Sequence, residues 1–398
     1  MLDDIKKFHS LVFIPLLGVL LLSGCGGDSN DDDAVTLGSV TFAFELSGES
    51  TVPQIAATGS GTATLTLNRD SGALSGSATL ADLTGSVTAA HIHNAIAGLT
   101  GEIIFTLEID ASNALQVNVP DGTTLDATQM TAILNSEHYI NIHTAANASG
   151  ELRGQIIAPD QQVVRVNLKS ANEVPTPVDS TNAGTAYITL DTVSGEIRGN
   201  IRNTGLDDAS GAHIHDAFAG TNGDVLYGLT QDTVDPALWA VPDNTVLNTT
   251  QLASLLVGGL YFNVHTPANA SGEVRGQLSL GNISVIRSEL DGSQEVPSVV
   301  TAATGIGYTT VDEESGSINA NIRTSGLTVN AAHVHEAAAG SSGGVAFGLT
   351  QDTVETDFWS GNATLDAMQL DAFKADGLYF NAHTTANAGG EIRAQINR

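Results

Sequence analysis

One sequence pattern occurs three times along the chain, and this repetition restricts the fold more than any other feature. Ala-His-Ile-His places its first histidine at His91 and at His213, and Ala-His-Val-His places it at His333. The two intervals between these histidines are 122 and 120 residues. Self-similarity at a fixed period is the signature of tandem structural units. The sequence therefore predicts three copies of one module.

Each module shows the alternation that is typical of β-strands. Apolar residues alternate with threonine or glycine in residues 62–67, 185–190 and 306–311. A Ser-Gly turn follows each of these segments, and a second alternating segment comes directly after it. A strand, a tight turn and a strand predict a hairpin. Many short strands with glycine-rich turns are typical of an antiparallel sandwich or barrel.

One helix interrupts the strands in each module. Asp126, Asn248 and Asp366 are each followed three residues later by glutamine, the pattern of a capping box at a helix start. The Tyr-x-Asn-x-His segment comes soon after this helix. The predicted fold class is all-β, with three tandem antiparallel Greek-key-like β-sandwich domains that each contain one short helix.

Three histidines per module are the candidate ligands of a metal ion. In a strand, residues i and i+2 point to the same face, so the two histidines of His-x-His project side by side. A third histidine closes Tyr-x-Asn-x-His about fifty residues later, and a neighbouring strand would bring it to the same point. Three imidazoles can hold copper or zinc with a fourth position left open. The predicted ligands are His91, His93, His143, His213, His215, His265, His333, His335 and His383.

Other interpretations of these motifs remain open from the sequence. The histidines could form a structural hydrogen-bond network with the neighbouring Asn and Tyr, or bind a different ligand. Glu151 and Arg153 share a strand face, and the favoured interpretation is a structural ion pair, either with each other or across to a neighbouring strand. An acid precedes Val-Pro at Glu173 and Glu295, but the first module has Glu49 two residues further from its proline, so this acid is not strictly placed.

The first residues predict an exported lipoprotein. Lys6 and Lys7 precede an apolar run, and small residues lead to Cys25, the only cysteine. Leu-Ser-Gly-Cys resembles the bacterial lipobox, which implies that Cys25 is lipidated and anchors the protein to a membrane. The predicted segments are a lipoprotein signal peptide (1–24), a flexible acidic tether (25–33) and three domains (34–158, 159–280 and 281–398). The expected location is the bacterial cell envelope, extracytoplasmic, at the outer membrane if the cell is Gram-negative.

The charge of the chain restricts its partners. The formal net charge is −30, and only 14 residues are Lys or Arg. Nucleic acid is not an expected partner, because phosphate backbones are bound by clustered basic residues. No Ser/His/Asp or paired-carboxylate arrangement recurs at matching places, so no catalytic residue is predicted. An extracellular protein or matrix partner of unknown identity is the expectation.

The combined motifs resemble those of the CHRD domain. These are Ala-His-Ile-His, then Tyr-x-Asn-x-His-Thr, then Gly-Glu-x-Arg-Gly-Gln, and the likeness covers residues 35–397 in three copies. The resemblance implies an extracellular β-sandwich module without established catalysis, and hence a non-catalytic binding protein. A more distant likeness joins His333-Val-His335-Glu336 to the copper-ligand strand of Cu/Zn superoxide dismutases. It implies an alternative, a metal-dependent redox enzyme, although no disulfide pair and no zinc loop of that family is present.

Overall fold

The computed structural model describes residues 36–398. The predicted signal peptide, Cys25 and the acidic tether lie outside the described residues, and their roles stay predictions. None of the helices in residues 36–398 is long and apolar enough to cross a membrane.

The described chain is built mainly of short β-strands. The first module contains β1 (Ser39–Ser47), β2 (Ser60–Asn68), β3 (Leu74–Ala81), β4 (Val87–Asn94), β5 (Glu102–Thr106), β6 (Glu108–Ile109), β7 (Gln116–Asn118), β8 (His138–Thr144) and β9 (Leu152–Ile156). The second contains β10 (Gln161–Lys169), β11 (Ala183–Asp191), β12 (Glu196–Thr204), β13 (Gly211–Asp216), β14 (Asp224–Gly228), β15 (Thr230–Gln231), β16 (Leu238–Ala240), β17 (Thr245–Val246), β18 (Leu260–His265) and β19 (Val274–Leu278). The third contains β20 (Ile283–Asp291), β21 (Thr304–Asp312), β22 (Ser317–Ser325), β23 (Ala331–Glu336), β24 (Gly344–Gln351), β25 (Phe358–Thr364), β26 (Leu378–His383) and β27 (Ile392–Gln395).

The three modules share one antiparallel topology. The strand order is β5-β4-β8-β9-β1-β2-β3-β7-β6 in the first module and β14-β13-β18-β19-β10-β11-β12-β16-β15 in the second, where β17 also pairs with β12. In the third module the sheet closes into a barrel, in the order β20-β21-β22-β25-β24-β23-β26-β27. The strand that carries His-x-His therefore lies beside the strand that carries Tyr-x-Asn-x-His in every module. The expected all-β architecture of three sandwich or barrel units is confirmed.

Each module has one α-helix, and its start is the predicted capping box. The helices are α1 (Ala127–Leu134), α2 (Thr249–Leu256) and α3 (Ala367–Lys374). The side chain of Asn248 accepts hydrogen bonds from the backbone N–H groups of Thr250 and Gln251, and the Gln251 side chain accepts from the N–H of Asn248. Asp126 and Asp366 make the corresponding box. A short 3₁₀ helix also follows the first strand of each module, at Gly48–Ser50, Ser170–Asn172 and Gly292–Gln294.

The inward side chains of each module form a separate apolar core. Ile92, Ile214 and Val334, the central residues of the His-x-His motifs, are fully buried in these cores. Because successive strand residues point to opposite faces, the two histidines on either side of each must face outward. Burial of the apolar residue thus fixes which way the histidine pair points.

Successive modules contact each other through polar groups that repeat at both joints. Residues 38–398 form one compact unit. The side-chain amide of Asn200 donates to the carbonyl of Ala97 at 2.8 Å, and that of Asn321 donates to the carbonyl of Ala219 at the same distance. Gly220 follows Ala219 with φ +86°, and a Cβ there would overlap Oδ1 of Asn321. In the first two modules, the loop after the His-x-His strand therefore packs closely against the next module.

Candidate metal centres

The three predicted histidines of each module lie together on the outer face of the sheet. In the second module β13 pairs with β18, so that His213 is opposite Asn263 and His215 is opposite Tyr261. The ring of His265, at the end of β18, has its centroid 4.9 Å from that of His213 and 6.0 Å from that of His215. One nitrogen from each ring lies within 4.8 Å of the other two. The same grouping holds for His91, His93 and His143, and for His333, His335 and His383.

Main-chain carbonyls fix the orientation of two rings in every triad. Nδ1 of His215 lies 3.0 Å from the carbonyl oxygen of Gly223, and Nδ1 of His265 lies 3.1 Å from that of Ala270. A carbonyl only accepts hydrogen bonds, so each Nδ1 must carry the proton. In the neutral ring this leaves a lone pair on Nε2. The equivalent pairs are His93–Gly101, His143–Ala148, His335–Gly343 and His383–Ala388.

The second and third modules direct unpaired nitrogen atoms towards one point. Nδ1 of His213, Nε2 of His215 and Nε2 of His265 are buried and have no hydrogen-bond partner within residues 36–398. The corresponding atoms of His333, His335 and His383 are also buried and have no hydrogen-bond partner among these residues. Buried polar atoms are rarely left unpaired, because an atom that loses its hydrogen bonds to water and gains none in the protein raises the free energy of the folded state. The three such atoms in each of these two modules could together hold a metal ion.

Burial keeps these imidazoles neutral near pH 7. It lowers the pKa of His213, and it lowers the pKa of His215 and of His265, in both of which a neighbouring histidine lowers the pKa further. Burial also lowers the pKa of His91, His93, His333, His335 and His383. A neutral imidazole is the form that binds a metal ion, so proton competition at these sites is weak.

The comparison with known families is decisive for the ancestry of the modules. The family profile of the CHRD domain matches residues 42–156, 164–278 and 286–396, which together make up most of the chain. The chain belongs to the CHRD domain family. The expected resemblance is confirmed in all three copies. A search of curated proteins found no significant match to the chain.

An arginine and a tyrosine support the second histidine of each CHRD domain. The ring of His215 stacks on Tyr261, with centroids 4.9 Å apart and planes 10° apart. The guanidinium of Arg275 lies 3.5 Å from the centroid of the same tyrosine ring. This guanidinium donates to the carbonyls of Thr221 at 2.8 Å and Phe218 at 3.1 Å, in the loop after β13. The hydroxyl of Tyr261 accepts from the N–H of Gly223, so arginine, tyrosine and loop hold the histidine as one unit.

The expected ion pair is wrong, because neither Glu151 nor Arg153 pairs with an opposite charge within residues 36–398. Glu151 is fully buried and accepts hydrogen bonds from Thr84 and Thr144, and burial, which would raise its pKa, is outweighed by these bonds, so that the pKa is lowered. Arg153 donates to the carbonyls of Leu99 and Ile96 instead. Thr84 is 67 residues from Glu151 and Thr144 only seven, whereas both loop carbonyls that Arg153 contacts are more than fifty residues away.

The structure also places an acid that the sequence left undefined. Glu173 and Glu295 are buried beside the histidine strands, and burial raises the pKa of each to about 7. In the first CHRD domain this position, directly before Val-Pro, is held by the buried Thr51, while Glu49 is exposed. The first copy therefore carries a substitution rather than a displaced acid. The Val-Pro pair that follows this position in all three domains was the sequence signal that could have aligned Thr51 with Glu173 and Glu295.

The buried acid changes the hydrogen bonding of the histidine site. The amide of Asn263 lies 3.4 Å from Oε2 of Glu173, and that of Asn381 lies 3.5 Å from Oε2 of Glu295. In the first domain the amide of Asn141 instead lies 3.3 Å from Nε2 of His143. Where the acid is present, the asparagine turns towards it and leaves the histidine nitrogen unpaired.

Proposed function

We propose that the protein is a non-catalytic binding module in which each CHRD domain binds one copper or zinc ion through three histidines. The observation that supports this most strongly is the set of three unpaired, buried nitrogens in the second domain, on His213, His215 and His265. The same set recurs in the third domain. A structural network would pair these atoms with each other or with neighbours.

The donor set selects the metal. Imidazole nitrogen suits copper and zinc, whereas calcium and magnesium require oxygen ligands. Bonds of about 2.0–2.1 Å in a tetrahedral zinc site place nitrogens roughly 3.3 Å apart. The nitrogens of each triad lie within 4.8 Å of one another, so side-chain rotations can close the site. The carbonyls of Gly223 and Ala270 are the outer partners that metal-bound histidines use to fix their tautomers.

We further propose that the protein acts at an extracytoplasmic membrane surface, anchored through Cys25. The support is the apolar run that ends in Leu-Ser-Gly-Cys, followed by an acidic segment that would separate the domains from the bilayer. Replacing Cys25 by serine should release the protein from the membrane fraction. Identical partitioning of the variant and the parent would contradict the anchor without bearing on the metal sites.

A histidine substitution with a matched control tests the metal proposal. His215→Ala should lower the metal content of purified protein by one ion, because the second site loses the ligand that the Gly223 carbonyl and the Tyr261 ring hold in place. His138→Leu is the control, because His138 is buried outside the triads and leucine occupies the same position at Leu260 and Leu378. Elemental analysis should show full metal content for the control. Equal metal content in the two variants would leave a purely structural role for the triad.

A further inference from the structure

A polar cavity of about 210 Å³ lies between the second and third domains. The side chains that line it include Arg165, Asn167, Arg275 and Gln277 from the second domain and Arg287 and Tyr308 from the third. One water molecule needs about 10–15 Å³, so the cavity holds a ligand of several heavy atoms. It is separate from the histidine triads, none of whose members lines it.

The charge of this cavity is opposite to that of the chain. The whole sequence has 44 acidic residues against 14 Lys and Arg. Three of those 14 line this one cavity, and no Asp or Glu in residues 36–398 lines it. The cavity therefore concentrates positive charge where the rest of the surface repels anions.

The arginines of the cavity are only partly neutralised by their own contacts. Arg275 is 2% exposed and donates to main-chain carbonyls and to Gln277, all neutral acceptors. The buried Glu173 acts on its charge, but burial raises the pKa of this carboxyl to about 7, so the neutralisation is partial near neutral pH. Arg165 donates to the amide oxygen of Gln54 at 2.7 Å. Arg287 pairs with Glu289, but that carboxylate side chain is 74% exposed, so solvent screens the pair. Nε of Arg165 and Nε of Arg287 are buried without a partner among the described residues.

The joint between the first and second domains provides an internal comparison. Its cavity, of about 300 Å³, is lined by the equivalent Arg153, Arg165 and Tyr187. Ala43 and Glu45 are the fifth and seventh residues of β1, and they stand where Arg165 and Asn167 stand in β10. This first cavity thus has one arginine fewer and gains an acid. Both joints therefore contain a cavity, but only the one between the second and third domains has the excess of positive charge that an anion site needs.

We propose that the cavity between the second and third domains binds a small oxyanion, namely a phosphate, sulfate or carboxylate group. Guanidinium groups bind such groups with charge-assisted and often paired hydrogen bonds. The amide of Asn167 adds a neutral donor beside them, whereas the Gln277 amide and the Tyr308 hydroxyl already donate to main-chain carbonyls. Because the cavity lies at a domain joint, the anion contacts both domains and holds them in one arrangement.

Calorimetric titration of the intact protein, stripped of metals with a chelator, tests the site with inorganic phosphate, sulfate and acetate in separate arms. One saturable site per chain is expected for at least one of the three, and the arm that binds most tightly identifies the anion class. Asn167→Glu should weaken that binding by about tenfold or more, because it places a negative charge in the cavity, where it repels the anion. The matched control is Glu45→Gln in the first cavity, which should leave the existing site unchanged.

The combined change Ala43→Arg and Glu45→Asn gives the first cavity the residues of the second and should add a second anion site. Both residues are exposed on β1, and the inserted pair is native at the next joint, so the fold should be retained. Retention is checked by the far-UV circular dichroism of each variant. An absence of saturable binding in all three arms, or equal affinity of the parent and Asn167→Glu, would overturn the proposal.

Discussion

In the first CHRD domain, Nδ1 of His91 lies 3.1 Å from Nε2 of His143, within hydrogen-bond distance. Because Nδ1 of His143 donates to the carbonyl of Ala148, its Nε2 must accept, and His91 must carry its proton on Nδ1. The corresponding nitrogens of His213 and His265 have no partner in the described chain. A metal ion at the first site must therefore displace this hydrogen bond and the contact from the Asn141 amide, and shift the proton of His91 to its other nitrogen.

The three metal sites should differ in affinity. The first should bind more weakly than the other two, because the displaced hydrogen bond contributes about 0.5–1.5 kcal/mol, or up to roughly tenfold in affinity. A competition titration with a zinc chelator of known affinity should show two tighter ions and one weaker ion. His91→Ala should remove the weaker step, and His213→Ala one of the tighter steps. Three indistinguishable steps would contradict the difference between the domains.

Replacing Arg275 by lysine should destabilise the second domain by about 2–4 kcal/mol. Lysine cannot donate to two separate carbonyls and also stack on Tyr261, and buried hydrogen bonds from a charged group contribute about 1.5–3 kcal/mol. Denaturant unfolding measures the change. Arg323→Lys is the control, since its partners Glu355 and Asp357 are about half exposed, and the cost should stay below about 1 kcal/mol. Equal losses would exclude the proposed support of the loop.

The buried acid should make the second domain less stable at pH 7 and above than at acidic pH. Burial raises the pKa of Glu173 to about 7, above the roughly 4.3 of an unfolded glutamate. The folded state therefore binds more protons than the unfolded state between these values. The stability that this group contributes is present below about pH 4.3 and is lost as the pH rises through about 7.

Glu173→Gln should remove this dependence. Relative to the parent, the variant should gain stability between pH 5 and pH 8, by at most about 3 kcal/mol at roughly 1.4 kcal/mol per pKa unit. Thermal unfolding at both pH values measures the gain, with Glu49→Gln as an exposed control. A constant difference between the parent and Glu173→Gln across this range would show that the carboxyl does not titrate in it.

Replacing Asn200 by serine should weaken the joint between the first two domains. Asn200 is 1% exposed, and its bond to the carbonyl of Ala97 is lost, which leaves a buried acceptor unpaired at a cost of about 1–3 kcal/mol. Calorimetric unfolding should then show the first domain melting apart from the others. Serine is tolerated locally, because Ser77 occupies the matching position in the first domain. An unchanged single transition would mean that the joint does not depend on this contact.

Much of the fold was predictable because it depends on local patterns. Alternation of threonine with apolar residues predicted the strands, and Asp126 with Gln129 predicted the helix start that the structure shows. The histidine grouping followed from the same logic, since burial of Ile214 forces His213 and His215 outward. Only the pairing of β13 with β18 had to be assumed, and the structure contains it.

The contacts that the sequence did not predict join residues far apart in the chain. Glu173 meets Asn263 across 90 residues, and Arg153 reaches the carbonyl of Leu99 across 54. Such partners depend on which loops fold over which strands, and no short-range pattern carries that information. The ion pair expected for Arg153 was wrong for this reason, because a main-chain carbonyl has no signature in the sequence.

Direct titration of the metal-free protein with zinc and with copper is the most decisive measurement of the central proposal. At pH 7.5 the protein should take up as many as three ions per chain, and His215→Ala should take up one fewer. Because burial lowers the pKa of these histidines, uptake should persist to a lower pH than the value of about 6.5 for free histidine, and then fall. No uptake of either metal at pH 7.5 by the folded protein would mean that the triads do not bind metal and are structural elements.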